Sequence, residues 1–195
     1  MSIDAFLAEA LPYARRASAA TDVRVSVVLA QWIDETWDPA TQSPGFDWTV
    51  RHNPGNVSPG GVLATYATLD EGVAAWVETM LQPVYRPVRA APSATVQAGA
   101  LGASPWAESH YMAHGPPPGS DLVDLMVAYD LEQYDMPSAP PEDAPMVYDP
   151  ISKVLHAVAV VNGVPYHWWQ AGAGGPDMHF PPGVAWGVEK LPVPS

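Results

Sequence analysis

Helical apolar periodicity runs through the first two thirds of this 195-residue chain and stops at MPSAPPEDAPM, Met136–Met146. The four prolines of that stretch fix φ and remove backbone donors, so neither a helix nor a sheet ladder continues across it. The chain is therefore expected to fold on either side of the break. The reading is a domain over 1–135, a Pro-rich linker over 136–145 and a small segment over 146–195. The first part reads as mainly α, and the last, rich in Gly, Pro, Val and Trp, as short strands and loops.

Within 1–135 the stops and starts follow capping chemistry. Ser2 is placed to cap a first helix with Ile3, Phe6, Leu7 and Ala10 on one face, and Pro12 either kinks it or opens a new one. A second helix is expected over about Val23–Thr36, with Val25, Val28, Leu29, Trp32 and Ile33 as its apolar stripe. Thr68-Leu-Asp-Glu71 has capping-box spacing, and the helix after it is expected to bury Val73, Trp76, Val77, Met80 and Leu81 and to stop before Pro83. Ser93 starts a short helix to about Leu101, Pro105 another that ends at Gly115. Ser120 caps the last, with Leu122, Leu125, Met126 and Tyr129 at helical spacing. Asp38–Thr65, rich in Pro, Gly and Asn, reads as an ordered loop or a small β-lobe.

Charge and composition narrow the function classes. Eight basic against 21 acidic residues, net −13, argues against a phosphate-backbone partner and against an anionic membrane surface. The apolar runs are too short to span a bilayer, and the N-terminus shows no signal-peptide pattern. With no cysteine there is no disulfide framework, thiolate metal site or cysteine nucleophile. The six histidines show no metal-binding motif; His110 and His114, four apart, are the nearest to one. No cofactor and no metal are expected.

Glu35 is the residue with the clearest chemical reading. It closes an apolar helix one turn after Gln31 and Trp32, where the chain enters the Gly/Pro-rich segment. A carboxylate against an indole at a cleft edge is partly desolvated, which raises its pKa and suits it to protonate a glycosidic oxygen. A solvated helix-end carboxylate beside Asp34 and Asp38 is the bland alternative. In RHNPGNVSPGG, Asn53 and Asn56 flank a Pro-Gly turn that can present amides to sugar hydroxyls or acetamido groups. In SPWAESHY, Trp106 and Tyr111 offer aromatic faces to a pyranose ring, or pack in the core. Asp38 and Asp47 are the available second carboxylates.

Together these segments resemble a known family, the bacterial and phage N-acetylglucosaminidases of the flagellar-muramidase and autolysin type. Ser26, Ala30, Gln31, Glu35 and Thr36 stand close to the family's Ser-x-x-x-Ala-Gln-x-x-x-Glu-Ser helix. NPGNVS resembles its Asn-rich turn, YATLDEGVAAWVETML its Tyr-x-Ser-x-x-Glu helix, SPWAESHY its Tyr-Ala-Thr-Asp-x-x-Tyr stretch, and DLMVAYDLEQYD its closing helix. The likeness covers about residues 4–135 in order. It implies a lysozyme-like helical domain that cleaves the β-1,4 bond after N-acetylglucosamine in peptidoglycan, with Glu35 as general acid. Gln31, Asn53, Asn56, Trp106 and Tyr111 would hold the glycan strand.

Three departures stand out. Trp37-Asp38-Pro39 replaces the family's Trp-Gly after the acid. Trp106 occupies the position of a family tyrosine and lacks its hydroxyl. SPGGVLAT, where relatives carry a second carboxylate, has no acid, so a one-carboxylate mechanism would lean on the substrate's own acetamido group. The corresponding expectation is an endolysin or virion-associated lysin of a phage; a muramidase or lytic transglycosylase also uses one acid. The alternative is a structural tail component with little or no turnover.

VLHAVAVVNGVPYHWWQ places Asn162-Gly163 between apolar runs, a strong hairpin signal. Trp168, Trp169, Trp186 and Tyr166 read first as residues that pack the segment or dock it on the helical domain or on another chain, such as other phage tail or virion proteins meeting 146–195, and second as a sugar platform.

Overall fold

A computed structural model describes residues 1–37, 44–106, 110–113, 115–135, 145–149, 154–161, 164–171 and 187–191. The chain divides into two compact units, Met1–Asp135 and Met136–Ser195. The fold is mainly α, with a small antiparallel sheet confined to the second unit.

Helix α1 spans Ile3–Thr21 and starts at Ser2, whose hydroxyl accepts the Ala5 amide. Pro12 lies inside it and neither breaks it nor opens a second helix. The carbonyl that Pro12 leaves without its usual partner belongs to exposed Ala8, where water can replace the missing donor. Phe6, Leu7, Ala10, Ala14 and Ala17 form its buried face.

Helix α2 spans Val25–Glu35, a residue or two shorter at each end than the periodicity suggests. Every residue from Val25 to Ile33 is buried, so α2 is the central element rather than one with a single apolar stripe. It packs against α1, against α6 (Ala94–Gly102), against α7 (Ser120–Ala128) and against a 3-10 turn, Leu131–Asp135. The N-cap position, Arg24, offers no side-chain cap. Asp135 supplies one from 109 residues away: Oδ1 accepts the Ser26 amide at 2.8 Å and Oδ2 the Ser26 hydroxyl at 2.6 Å. Gln97 of α6 accepts the Arg24 amide at 2.7 Å. A helix buried all round has no water at its first turn, so its orphan donors must find protein partners.

Helix α4, Leu69–Met80, begins at Thr68, whose hydroxyl accepts the Glu71 amide. Glu71 returns a carboxylate oxygen to the Ala67 amide at 2.9 Å, a capping box shifted by one residue. Val73, Trp76 and Met80 are buried, whereas Leu81 is 48% exposed and outside the core. After the short helix α5, Arg86–Arg89, helix α6 starts at Ser93, whose hydroxyl accepts the Val96 amide.

The other expectations need correction. No α-helix runs from Pro105 to Gly115; among the described residues this stretch holds only a short 3-10 turn, His110–Met112. Gly119 in the left-handed region, not Ser120, occupies the cap position of α7; Ser120 is its first residue and donates to the Gly115 carbonyl at 2.7 Å. Within 44–65 there is no β-lobe among the described residues; a short helix α3, Phe46–Val50, and a 3-10 turn, Pro59–Gly61, take its place.

An aromatic series ties the core together. Phe6 meets Trp48 at 5.1 Å, Trp48 meets Trp32 at 5.7 Å, Trp32 meets Trp76 at 5.9 Å, and Trp76 meets Trp106 at 6.2 Å. Trp32, Trp48 and Trp76 are fully buried and Trp106 half-buried. The series therefore leads from the centre of the helical unit to its surface at Trp106.

In the second unit, strands β1 (Met146–Asp149), β2 (Val154–Val161), β3 (Val164–Ala171) and β4 (Gly187–Lys190) form an antiparallel meander in chain order. Val161 pairs with Val164 across the two-residue Asn162-Gly163 connection, which itself lies outside the described residues. Ala157 and Trp168 face each other in the register and are buried, so Trp168 packs. Trp169 is half-buried; Trp186 and the Tyr166 side chain lie outside the described residues. No helix among the described residues is long and apolar enough to cross a membrane.

Candidate functional site

Glu35 is the last residue of α2, and its half-buried side chain is held by two others from distant segments. Tyr111, in the His110–Met112 turn, donates its hydroxyl proton to Oε1 of Glu35. Asn56 donates from Nδ2 to Oε2 at 3.0 Å and to the Glu35 backbone carbonyl at 2.6 Å. A phenol and an amide are thus among the partners of this carboxylate. Trp32, the neighbour expected from sequence, points into the aromatic core instead.

The polarity of the network is fixed at its buried end. The indole of Trp76 can only donate, and it gives its proton to Oε1 of Gln31 at 3.0 Å. That sets the Gln31 amide so that Nε2 donates to the Tyr111 oxygen, also at 3.0 Å. With its oxygen accepting from Gln31, Tyr111 turns its single proton toward Glu35. Tyr111 is fully buried. Its pKa is driven well above the ordinary tyrosine value, first by burial, then by the Glu35 charge and the hydrogen bond to it. The phenol therefore stays a neutral donor at any pH at which the protein would work.

Asn56 is brought to Glu35 by the turn at 53–57. Asn53 is the hub of that turn: it is buried, Nδ2 donates to the carbonyls of Val57 and Ala64 at 3.0 Å each, and Oδ1 accepts the Val57 amide at 2.8 Å. All its amide groups are used internally, so Asn53 builds the turn and does not face a ligand. A Cβ on Gly55 would come within 2.3 Å of the Trp76 ring, and one on Gly72 within 1.7 Å of the His52 carbonyl oxygen. Glycine at these two positions lets the turn lie directly on α4. Asn56 adopts the left-handed region, φ 48°, which asparagine tolerates better than most residues.

A groove of about 670 Å³ opens beside Asn56, in the size range of small-ligand sites. Its lining includes Asn56, Tyr66, Glu78, Gln82, Tyr85 and Trp106. Tyr85 meets Trp106 edge to face at 5.6 Å and braces it. Glu35 is not part of this lining; Asn56 connects it to the groove. Oδ1 of Asn56 is buried with no hydrogen-bond partner. The amide cannot turn over to bury its nitrogen instead, because Nδ2 is held by a carbonyl that only accepts.

Of the residues expected to hold a ligand, Asn56 and Trp106 line the groove, whereas Gln31, Asn53 and Tyr111 are buried supports behind it. Tyr111 thus cannot stack on a sugar, but it supplies a phenolic hydroxyl that Trp106 lacks. Asp47 pairs with Arg51 at 2.7 Å; Asp38 lies outside the described residues. Glu78 is a groove carboxylate that the sequence reading passed over. The signal for it was weak: it sits two residues after Trp76 on α4, just off the apolar face.

No group of three or more His, Asp or Glu that could hold a metal ion occurs among the described residues. His114 and the side chain of His110 lie outside them. On the sheet, His156 Nδ1 and His167 Nε2 are 2.9 Å apart, with rings nearly parallel and centroids 5.1 Å apart. At that distance one nitrogen donates to the other, which of them depending on the tautomers.

No family model matches this chain, no curated protein matches it, and no solved structure does.

Proposed function

We propose that the helical unit is a lysozyme-like peptidoglycan hydrolase of the N-acetylglucosaminidase type, in which Glu35 protonates the leaving glycosidic oxygen. The single observation that supports this most is the Tyr111–Glu35–Asn56 constellation. It fixes one carboxyl group at a helix end, beside an aromatic-walled groove, by partners 76 and 21 residues away in sequence.

The chemistry follows from the network. Tyr111 donates to Oε1, so the transferable proton rides on Oε2, the oxygen beside Asn56. As C1–O breaks, Glu35 gives that proton to the leaving oxygen, and the acetamido oxygen of the same sugar closes on C1. Water then attacks C1, loses a proton back to Glu35 and reopens the ring. Trp106 and the 53–57 turn position the chain of sugars, with no cofactor or metal required by this route. The expected setting is a phage endolysin or a lysin carried in a virion, with 146–195 available for contacts to other virion proteins.

Turnover of purified cell walls tests this reading. Glu35→Gln keeps the shape and the Tyr111 contact but has no proton to give, so release of reducing ends should fall at least about 10²-fold with the fold unchanged. Full activity in that variant would falsify the assignment. Anhydro sugar ends in the wild-type product would indicate a lytic transglycosylase.

A second reading is an assembly or wall-binding component of a virion with little turnover. Two observations favour it: both oxygens of the carboxylate are engaged by the chain's own donors, and Glu35 does not line the groove. Wild-type protein that binds walls yet releases no sugar ends would select it.

A further inference from the structure

The groove beside Asn56 has a charge bias that the hydrolysis reading does not use. Among the described residues of its lining, Glu78 is the one acidic side chain and no Lys, Arg or His occurs. The Tyr66 phenol on the same lining has a pKa above its ordinary value, first through burial and then through the Glu78 charge. The helical unit around it has 16 acidic residues against six basic ones, and one of the six, Arg89, donates to the carbonyl of Gln82 at the groove.

The second observation is the unpartnered Oδ1 of Asn56, a buried acceptor locked in place by the Glu35 carbonyl. A buried acceptor without a donor is costly, and an N–H or O–H that reached it from the adjoining groove would remove that cost. The third is Trp106, braced by Tyr85 and Trp76, whose indole can take both a pyranose face and a nearby cation. An anion, an unpaired acceptor and an aromatic face together suit a ligand with several donors, a positive charge and a sugar ring.

We infer that this groove binds a β-1,4-glycan residue with a free, protonated 2-amino group, a glucosaminium unit, in preference to its N-acetylated form. An ammonium brings three donors and a charge opposite to that of Glu78. An acetamide brings one donor and a carbonyl oxygen that Glu78 repels. The amine occupies a sugar other than the one whose acetamido group assists at C1, since that sugar must remain acetylated. The groove is thereby matched to walls whose glycan is partly de-N-acetylated. This inference rests on the proposed glycan-binding role of the groove, but not on turnover.

The test is isothermal titration of the intact 195-residue chain with two β-1,4-linked tetramers, one of free glucosamine and one of N-acetylglucosamine. The pH is chosen to keep the amine protonated. The free-amine tetramer should bind about fivefold more tightly, about 1 kcal/mol. That preference should shrink as salt is added, because the pair is partly open to solvent. Glu78→Gln, an exposed position whose change should leave the fold intact by circular dichroism, should bring the two ligands to parity. Glu78→Lys should reverse the order. Equal binding to wild type, no binding of either tetramer, or an unchanged preference in Glu78→Gln overturns the inference. Wall turnover without the amine preference would sink this inference alone. The preference without turnover would sink the hydrolase reading and leave this one standing.

Discussion

The hydroxyl of Tyr111 donates to Oε1 of Glu35 across 76 residues of sequence. Behind that bond stand Gln31 and then Trp76, a line of donors whose direction is set by an indole that cannot accept. Glu35 is thus held by a buried, one-way polar network rather than by desolvation against a tryptophan.

Tyr111→Phe removes the hydroxyl that donates to Oε1 and leaves the Nε2 proton of buried Gln31 without its acceptor. The expected cost is about 2 kcal/mol of stability, chiefly the desolvation of that stranded amide. On the proposed hydrolase reading, turnover should fall about tenfold to hundredfold, because the carboxyl group is no longer fixed in orientation. Chemical denaturation with parallel rate measurement checks both. Gln31→Leu combined with Tyr111→Phe should be less destabilising than the two single losses added together, since the indole N–H of Trp76 is then the one group of this line left stranded.

Alkaline titration provides a second check. The Tyr111 pKa is raised in the folded state above its unfolded value near 10. The folded protein therefore binds a proton that the unfolded chain releases as the pH climbs past about 10. The stability contributed by the buried neutral phenol is fully present below that pH and is lost as the pH rises toward the folded value. Following phenolate absorbance, Tyr111 should ionise only with unfolding, and replacement by Phe should flatten this part of the stability profile. Ionisation of Tyr111 in step with the exposed tyrosines, fold intact, would contradict the burial described here.

Asp135 is the third case. Asp135→Ala strips both oxygens from Ser26 at the start of α2 and should cost about 2 kcal/mol, measured by thermal or denaturant unfolding. Asp135→Asn keeps one acceptor and should cost less. Burial raises the Asp135 pKa above its usual value despite the Ser26 hydrogen bonds. The stability linked to its protonation is therefore present at low pH and is lost as the pH rises through the folded value. The wild type should accordingly gain on Asp135→Asn as the pH is lowered from neutrality toward 4.

The helices that were legible in the sequence are those with local start signals. Ser2, Thr68 and Ser93 each cap the helix expected of them, because a hydroxyl at the cap and an amide three residues on are a local pair. Where the signal was not local, the reading failed. Pro105–Gly115 has helical spacing but is used as a turn that delivers Tyr111 to Glu35. Ser120 lies beside a better cap conformation at Gly119. The uniform burial of α2 could not be read from its own periodicity, since a helix covered on all sides is defined by its neighbours.

By itself the sequence determined the mainly α character of 1–135, the Pro-rich break after it, the strand character beyond, and Glu35 as a carboxylate at the end of an apolar helix. These follow from caps, periodicity and proline, all of which act within a few residues. Only the tertiary structure decided what each polar side chain near Glu35 does: Gln31, Asn53 and Tyr111 became buried supports, Asn56 the link to the groove, and Glu78 a groove carboxylate. The reason is that an amide or hydroxyl has no preferred partner until packing removes water and leaves one within reach, and those partners lie tens of residues away along the chain.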